Sequence, residues 1–148
     1  MKNIWSLLCR KALIDSQTNT ISLIDSFEEI EIGIDPSAKG KNVNVVVDFE
    51  LVSYWIKDKN DTKNYLGSVE VTDPNNKILG SFPFSLDFAN SNRLRARLQF
   101  SSMIVTVQGE YIFHVKYKSE DEGKFTKATE IPLLVKVVET INNLKSNK

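Results

Sequence analysis

Three features of the sequence predict an all-β fold, an antiparallel β-sandwich of seven to eight strands. Apolar and polar residues alternate over 43–51, 94–100, 111–117 and 131–137, the period of a strand with one buried face. Clusters of Asp, Asn, Ser, Gly and Pro separate these runs at short intervals, as turns do in sandwiches and barrels. No stretch carries the period of an amphipathic helix over ~10 residues. At 148 residues the chain has room for one core, so residues 1–138 are read as a single domain and 139–148 as a short polar C-terminal tail.

The elements follow in order. Residues 4–14 are apolar-rich and end in the polar turn Asp15-Ser16-Gln17-Thr18-Asn19. The start of the chain faintly resembles a lipoprotein signal ahead of Cys9. Its apolar run is too short, Leu8 is too large for the cleavage position, and Arg10-Lys11 follow at once, so the segment reads as a strand. In the second strand Ile21, Leu23 and Phe27 share one phase, whereas Ile30, Ile32 and Ile34 share the other. The slip is expected to be a β-bulge at Glu28-Glu29. Pro36 and Gly40 mark a loop over 35–41.

Val43, Val45, Val47, Phe49 and Leu51 form the clearest inward face, opposed by Asn44, Asp48 and Glu50. A polar loop over 57–64 leads to a short strand over 65–72. Then comes the turn Asp73-Pro74-Asn75-Asn76-Lys77, in which Pro presets the first corner and Asn tolerates positive φ. A strand over 78–84 returns. Leu94, Ala96, Leu98 and Phe100 are expected to face inward and Arg93, Arg95, Arg97 and Gln99 outward. Tyr111, Phe113, Val115 and Tyr117 face the core in the next strand. A charged turn over 119–124 then closes a hairpin to Ile131, Leu133, Val135 and Val137.

Gly109-Glu110-Tyr111-Ile112-Phe113 resembles the start of strand F in immunoglobulin-like and fibronectin-III-like domains. There a Tyr bonds back to the backbone upstream, and Phe113 would take the place of a core cysteine. A C2-like sandwich is the alternative. More broadly the chain resembles a family of bacterial β-sandwich proteins known only as a domain of unknown function. The likeness rests on Ala12-Leu13-Ile14-Asp15, Ile21-Ser22-Leu23-Ile24, Val71-Thr72-Asp73-Pro74, the 109–113 motif and Ile131-Pro132-Leu133-Leu134-Val135. It spans residues 4–138, departs from the family at the turn 16–19, where many members carry a Gly, and implies a fold without a chemistry.

Composition excludes more than it assigns. Lys plus Arg and Asp plus Glu both number 19, so the basic excess of a nucleic-acid or anionic-membrane binder is missing. No run approaches the ~18 apolar residues of a spanning helix, and one cysteine builds no disulfide framework; a cytoplasmic location is expected. His114 is the single histidine, so a multi-histidine or Cys/His metal site has too few ligands. Its alternation places it outward, away from any obvious nucleophile. Lys39-Gly40-Lys41-Asn42 lacks the first Gly and the Ser/Thr of a phosphate loop. The loop acids Asp58, Asp61, Asp73, Asp87 and Asp121 are interleaved with lysines that oppose a divalent ion. No cofactor and no metal are expected.

Two candidate binding features remain. Arg93, Arg95 and Arg97 place three guanidiniums on one strand face at ~7 Å intervals, to be neutralised by Asp48, Glu50 or Glu70 or by an external anion. Tyr54, Trp55 and Tyr65 surround the 57–64 loop, and alternation turns at least one of Tyr54 and Trp55 away from the core. The leading expectation is a non-catalytic protein-binding or assembly module. A small carboxylate-based hydrolase or ligand-binding protein and a self-assembling structural subunit are the alternatives.

Overall fold

The structure, a computed structural model, describes residues 1–140; the tail beyond Thr140 lies outside the described residues, and Glu139 still belongs to the last strand. Nine strands follow one another: β1 (Lys2–Ile14), β2 (Ile21–Ser26), β3 (Glu29–Ile34), β4 (Val43–Ile56), β5 (Tyr65–Thr72), β6 (Ile78–Leu86), β7 (Arg93–Val105), β8 (Gly109–Ser119) and β9 (Thr126–Glu139). One 3-10 turn, Pro36–Ala38, interrupts them, capped by the Asp35 side chain. Two sheets form, of order β2-β1-β4-β7 and β3-β9-β8-β5-β6. No helix among the described residues is long and apolar enough to cross a membrane.

The phase slip near residue 28 is a change of sheet and replaces the expected bulge. Phe27 N–H donates to the Leu8 carbonyl at 3.2 Å in the first sheet, whereas Leu134 N–H donates to the Glu28 carbonyl at 2.9 Å in the second. A bulge and a crossing both reverse side-chain parity, so the sequence pattern cannot separate them. The choice lies with distant partners, Leu8 on one side and Leu134 on the other. The crossing splits the expected second strand in two and raises the count to nine. It also corrects the purely antiparallel reading, because β3 runs parallel to β9. Register shifts occur instead between Asn3 and Trp5, Val46 and Phe49, Val71 and Thr72, and Val115 and Lys116.

The alternating faces assigned from the sequence do meet between the sheets. Phe49 of β4 stacks on Phe100 of β7 at 5.3 Å, and Phe113 of β8 meets them edge-on at 6.1 and 5.4 Å. Leu8, Leu51, Val69, Val115, Leu133 and Val135 fill the space around them. Full burial of each such side chain stabilises the fold by ~1.5–3 kcal/mol. Val47 packs against this core while Asp48 is exposed and accepts from Gln99 at 2.7 Å. Toward the other end Trp55 lies against Phe84 and Tyr117. The Phe84 ring covers Gly67 so closely that a Cβ there would come within 2.3 Å of it.

Tyr111 ties the end of β7 to the start of β8. Its hydroxyl donates to the Val107 carbonyl at 2.7 Å and accepts from the N–H groups of Thr106 and Val107 at 2.9 and 3.2 Å. Thr106 in turn donates its hydroxyl to Asp73 at 2.8 Å, and Asp73 accepts from Asn75 and Lys77 N–H in its own turn. Burial alone would raise the Asp73 carboxyl, but bonds from Lys77, Thr106 and Asn75 outweigh it and hold it below its ordinary value. Asn76 adopts the positive φ of 62° expected of it. Two turns are thus fastened through one phenol and one carboxylate.

Tyr111→Phe keeps the ring and removes the hydroxyl, leaving two N–H groups and a carbonyl without that partner. It should destabilise the domain by ~1–3 kcal/mol. Urea denaturation of the two proteins reads the difference directly, and an unchanged midpoint would show that the corner carries no stability.

Candidate functional site

The outer face of the four-stranded sheet brings together part of what the sequence singled out. Antiparallel pairing sets Arg97 opposite Val52, Arg95 opposite Tyr54 and Arg93 opposite Ile56. Opposed residues share a face, so the guanidiniums and Tyr54 lie side by side. The three arginines have three different surroundings.

Arg97 is a structural residue. Its Nη2 lies 2.5 Å from Glu50 Oε1, while Glu50 Oε2 accepts the Ala12 N–H at 2.5 Å. Glu50 is only 5% exposed, and it pairs with the stripe as one of the acids expected to neutralise it. The β1–β2 hairpin and the arginine cover it, and a buried carboxylate of this kind persists only when paired. Cys9 is buried beside this pair. Burial first, then the Glu50 charge, raise its thiol against the opposing pull of Arg97, so it lacks the thiolate that makes a cysteine reactive.

Arg95 and Arg93 have no carboxylate within ion-pair reach among the described residues. Arg95 Nη1 donates to the Asn19 carbonyl at 2.8 Å and more weakly to its side-chain oxygen at 3.4 Å. Asn19 sits at positive φ in the turn between β1 and β2. The Arg93 N–H is held by Ser91 Oγ at 3.1 Å, and its side chain is exposed. The expected neutralising acids are engaged elsewhere. Asp48 bonds Gln99, and Glu70 belongs to the other sheet, 2.8 Å from Lys116.

A cleft of roughly 370 Å³ opens here, lined by Ile14, Asn19, Tyr54, Ser91, Arg93 and Arg95. The Trp5 ring lies 5.9 Å from that of Tyr54 at its side. The cleft has the size of a small recognition site, walled by two cations, an aromatic ring and amide groups. Ile14, Asn19 and Trp5 come from β1 and its turn, and nothing local in the sequence connects them to β7. The apolar run ending at Ile14 and the polar turn holding Asn19 were visible, but the packing of hairpin on sheet was not.

Trp55 and Tyr65 do not join this face. Trp55 is fully buried and donates its Nε1–H to Ser53 Oγ at 2.7 Å, so it presents no ring to a partner. Tyr65 lies in the five-stranded sheet, half-buried against Tyr117, and donates its hydroxyl to Asp61 at 2.7 Å. Burial, and after it the Asp61 hydrogen bond and charge, push its phenol up to about 12.

The remaining chemistry is dispersed. His114 faces outward from β8, its Nδ1 3.1 Å from Glu130 and its Nε2 3.0 Å from Thr72 Oγ1. Cys9 lies on the other sheet, so the single thiol and the single imidazole do not meet. Asp61, Asp73 and Asp87 each accept backbone N–H groups of their own loops. Among the described residues no three His, Cys, Asp or Glu gather closely enough to hold a metal ion. No protein-family model matches the chain, and no curated protein matches its sequence.

The unequal surroundings of the arginines give unequal costs of replacement. Arg97→Gln should destabilise the fold by ~2–4 kcal/mol, somewhat below a fully buried pair because the arginine side chain is 37% exposed. Arg93→Gln and Arg95→Gln should each stay within ~1 kcal/mol. Chemical denaturation of the three variants ranks them, and equal midpoints would refute the distinction.

Tyr65 gives a pH-dependent signature. Its folded pKa, about 12, lies above the ordinary 10.0, so the stability it contributes is complete below pH ~10 and is lost as pH rises toward 12. A phenolate absorbance titration should show a late step that Tyr65→Phe removes. A late step that persists in that variant would assign it to another tyrosine.

Proposed function

We propose that this domain is a non-catalytic protein-binding module of immunoglobulin-like design, which meets an acidic surface of a partner through Arg93, Arg95 and Tyr54. The observation that carries the reading is the pair of guanidiniums held over a cleft without a carboxylate partner. Like charges on neighbouring positions of a strand repel, and the nearby acids that would neutralise them are engaged elsewhere. An acidic partner would supply the missing charge. The absence of a net positive charge on the chain argues for a local, complementary contact over general affinity for polyanions.

The immunoglobulin-like part rests on topology and one corner. The run β9-β8-β5-β6 follows the G-F-C-C′ order of variable-type domains, β4 and β7 pair as B and E do, and Tyr111 bonds back to Val107. On this reading β1 is an additional strand set between A and B. The C2-like alternative has less support, because Asp73 lies at the opposite end of the sandwich from the 57–64 loop. The module's fold suits such a role only by analogy, so the residues of the cleft carry the argument.

The test is a pull-down from source cells with the parent protein and with Arg93→Gln/Arg95→Gln, keeping Arg97 for the fold. The double variant should melt like the parent and recover less partner. Parent recovery should also fall as salt rises, since exposed charges are screened beyond ~10 Å at 0.1 M. Equal recovery by both proteins at low and high salt would retire this face as the site.

A further inference from the structure

The cleft over Arg93 and Arg95 combines two chemistries. Its lining holds the two guanidiniums beside polar Asn19 and Ser91, and also the Tyr54 ring with the apolar side chains of Ile14 and Leu94. Tyr54 lies directly across the ladder from Arg95. Ile14, large and apolar, remains 42% exposed and so offers its surface to the cleft. At roughly 370 Å³ the space is at the small end of ligand sites, with room for one side chain of a partner.

The guanidiniums are held differently. Arg95 is anchored on Asn19 through Nη1 alone, and among the described residues no side-chain nitrogen of Arg93 makes a hydrogen bond. One fork is thus preset and the other unengaged, and each can take two oxygens of an oxyanion. Lys2 stands opposite Ile56, which stands opposite Arg93, so a further cation lies on the same face.

These features select among anions. One carboxylate balances one guanidinium and leaves the second unpaired. A phosphate monoester carries about −1.5 to −2 charges at pH 7 and three outer oxygens, enough for both forks. Phosphoserine supplies that charge, but its single methylene would leave the tyrosine and isoleucine wall bare. An aryl phosphate meets both parts of the lining, since its ring can pair offset or edge-on with Tyr54. We infer that the cleft receives a phosphotyrosine side chain of the partner protein, with its phosphate between Arg93 and Arg95 and its ring against Tyr54 and Ile14. The inference rests on the acidic-partner reading and adds the chemistry of the one group that enters.

The probes are short capped alanine peptides whose central residue is phosphotyrosine, sulfotyrosine, phosphoserine, glutamate or tyrosine. Each is titrated into the full chain by calorimetry, with amide NMR shifts recorded. Sulfotyrosine has the shape of phosphotyrosine with one charge fewer. The phosphotyrosine peptide should bind about tenfold more tightly than either the sulfotyrosine or the phosphoserine peptide. It should shift the amides of Asn19, Tyr54, Ser91 and Arg95. Arg93→Gln, an exposed change, should abolish the difference between phosphotyrosine and sulfotyrosine, because one fork is left for either. Tyr54→Leu should abolish the difference between phosphotyrosine and phosphoserine. Both variants are melted beside the parent, and if Tyr54→Leu melts early the two peptides compared on the parent test the ring. Equal binding of the phosphotyrosine and glutamate peptides, or of the phosphotyrosine and phosphoserine peptides, would overturn the assignment and leave the acidic-partner reading standing. Amide shifts confined to residues outside the cleft would overturn it too. No binding of any peptide also overturns it, and the pull-down with Arg93→Gln/Arg95→Gln then decides the broader reading separately.

Discussion

Residues 27 and 28 join the two sheets. The Phe27 amide is bonded into the ladder of β1, and the Glu28 carbonyl into that of β9. The Phe27 ring is edge-on to Phe49 at 5.4 Å, with the Arg10 guanidinium over it at the same distance. This anchorage fixes where the chain changes layers. Because the chain continues in one direction through the crossing, β3 meets β9 in parallel, the one such pairing in the described sandwich. At the opposite margin the Phe82 ring of β6 meets the Phe100 ring of β7 edge-on at 5.2 Å.

The second constraint is electrostatic. A chain with balanced charge can still distribute it unevenly, and Glu50 shows how. Its carboxylate is buried where β1 departs from β4, and it takes up Arg97 together with a backbone N–H that has left the ladder. Replacing such a pair by apolar residues is frequently neutral in energy, whereas removing one partner is not. The pair therefore says little about total stability and much about position, since it fixes the β1–β2 hairpin against the sheet. With the hairpin so placed, Asn19 reaches Arg95, and the cleft acquires its second wall. Arg93 and Arg95 owe their exposed charge to the fact that Arg97 has taken the one suitable acid.

Much of the fold was legible because the inward faces are strictly periodic. Phe49, Phe100, Phe113 and Leu133 could be assigned by counting residues, and Asn76 and Tyr111 by the chemistry of turns and corners. The errors share a cause. The bulge at Glu28-Glu29 and the purely antiparallel pairing were inferred from local parity, and local parity is silent about which sheet a strand joins or what lies over its outer face. The same limit applied to the site. The arginine stripe was visible as a repeat, but its division into one structural and two unpaired members depends on Asn19 and Ala12, far away in sequence. Adjacent aromatics show only that one of Tyr54 and Trp55 points outward. Packing selected Tyr54.

The glycine under the Phe84 ring links two positions that are separated in sequence and adjacent across β5 and β6. Any side chain at Gly67 would collide with the ring, while a smaller residue at 84 would uncover both the glycine backbone and the flank of Trp55. Each residue thus makes the other hard to replace alone. In a diverging lineage such a pair can move only through a joint change, or through an intermediate that tolerates either a clash or a void. Position 84, only partly buried, should therefore drift more slowly than its exposure suggests, for reasons of history and not of binding.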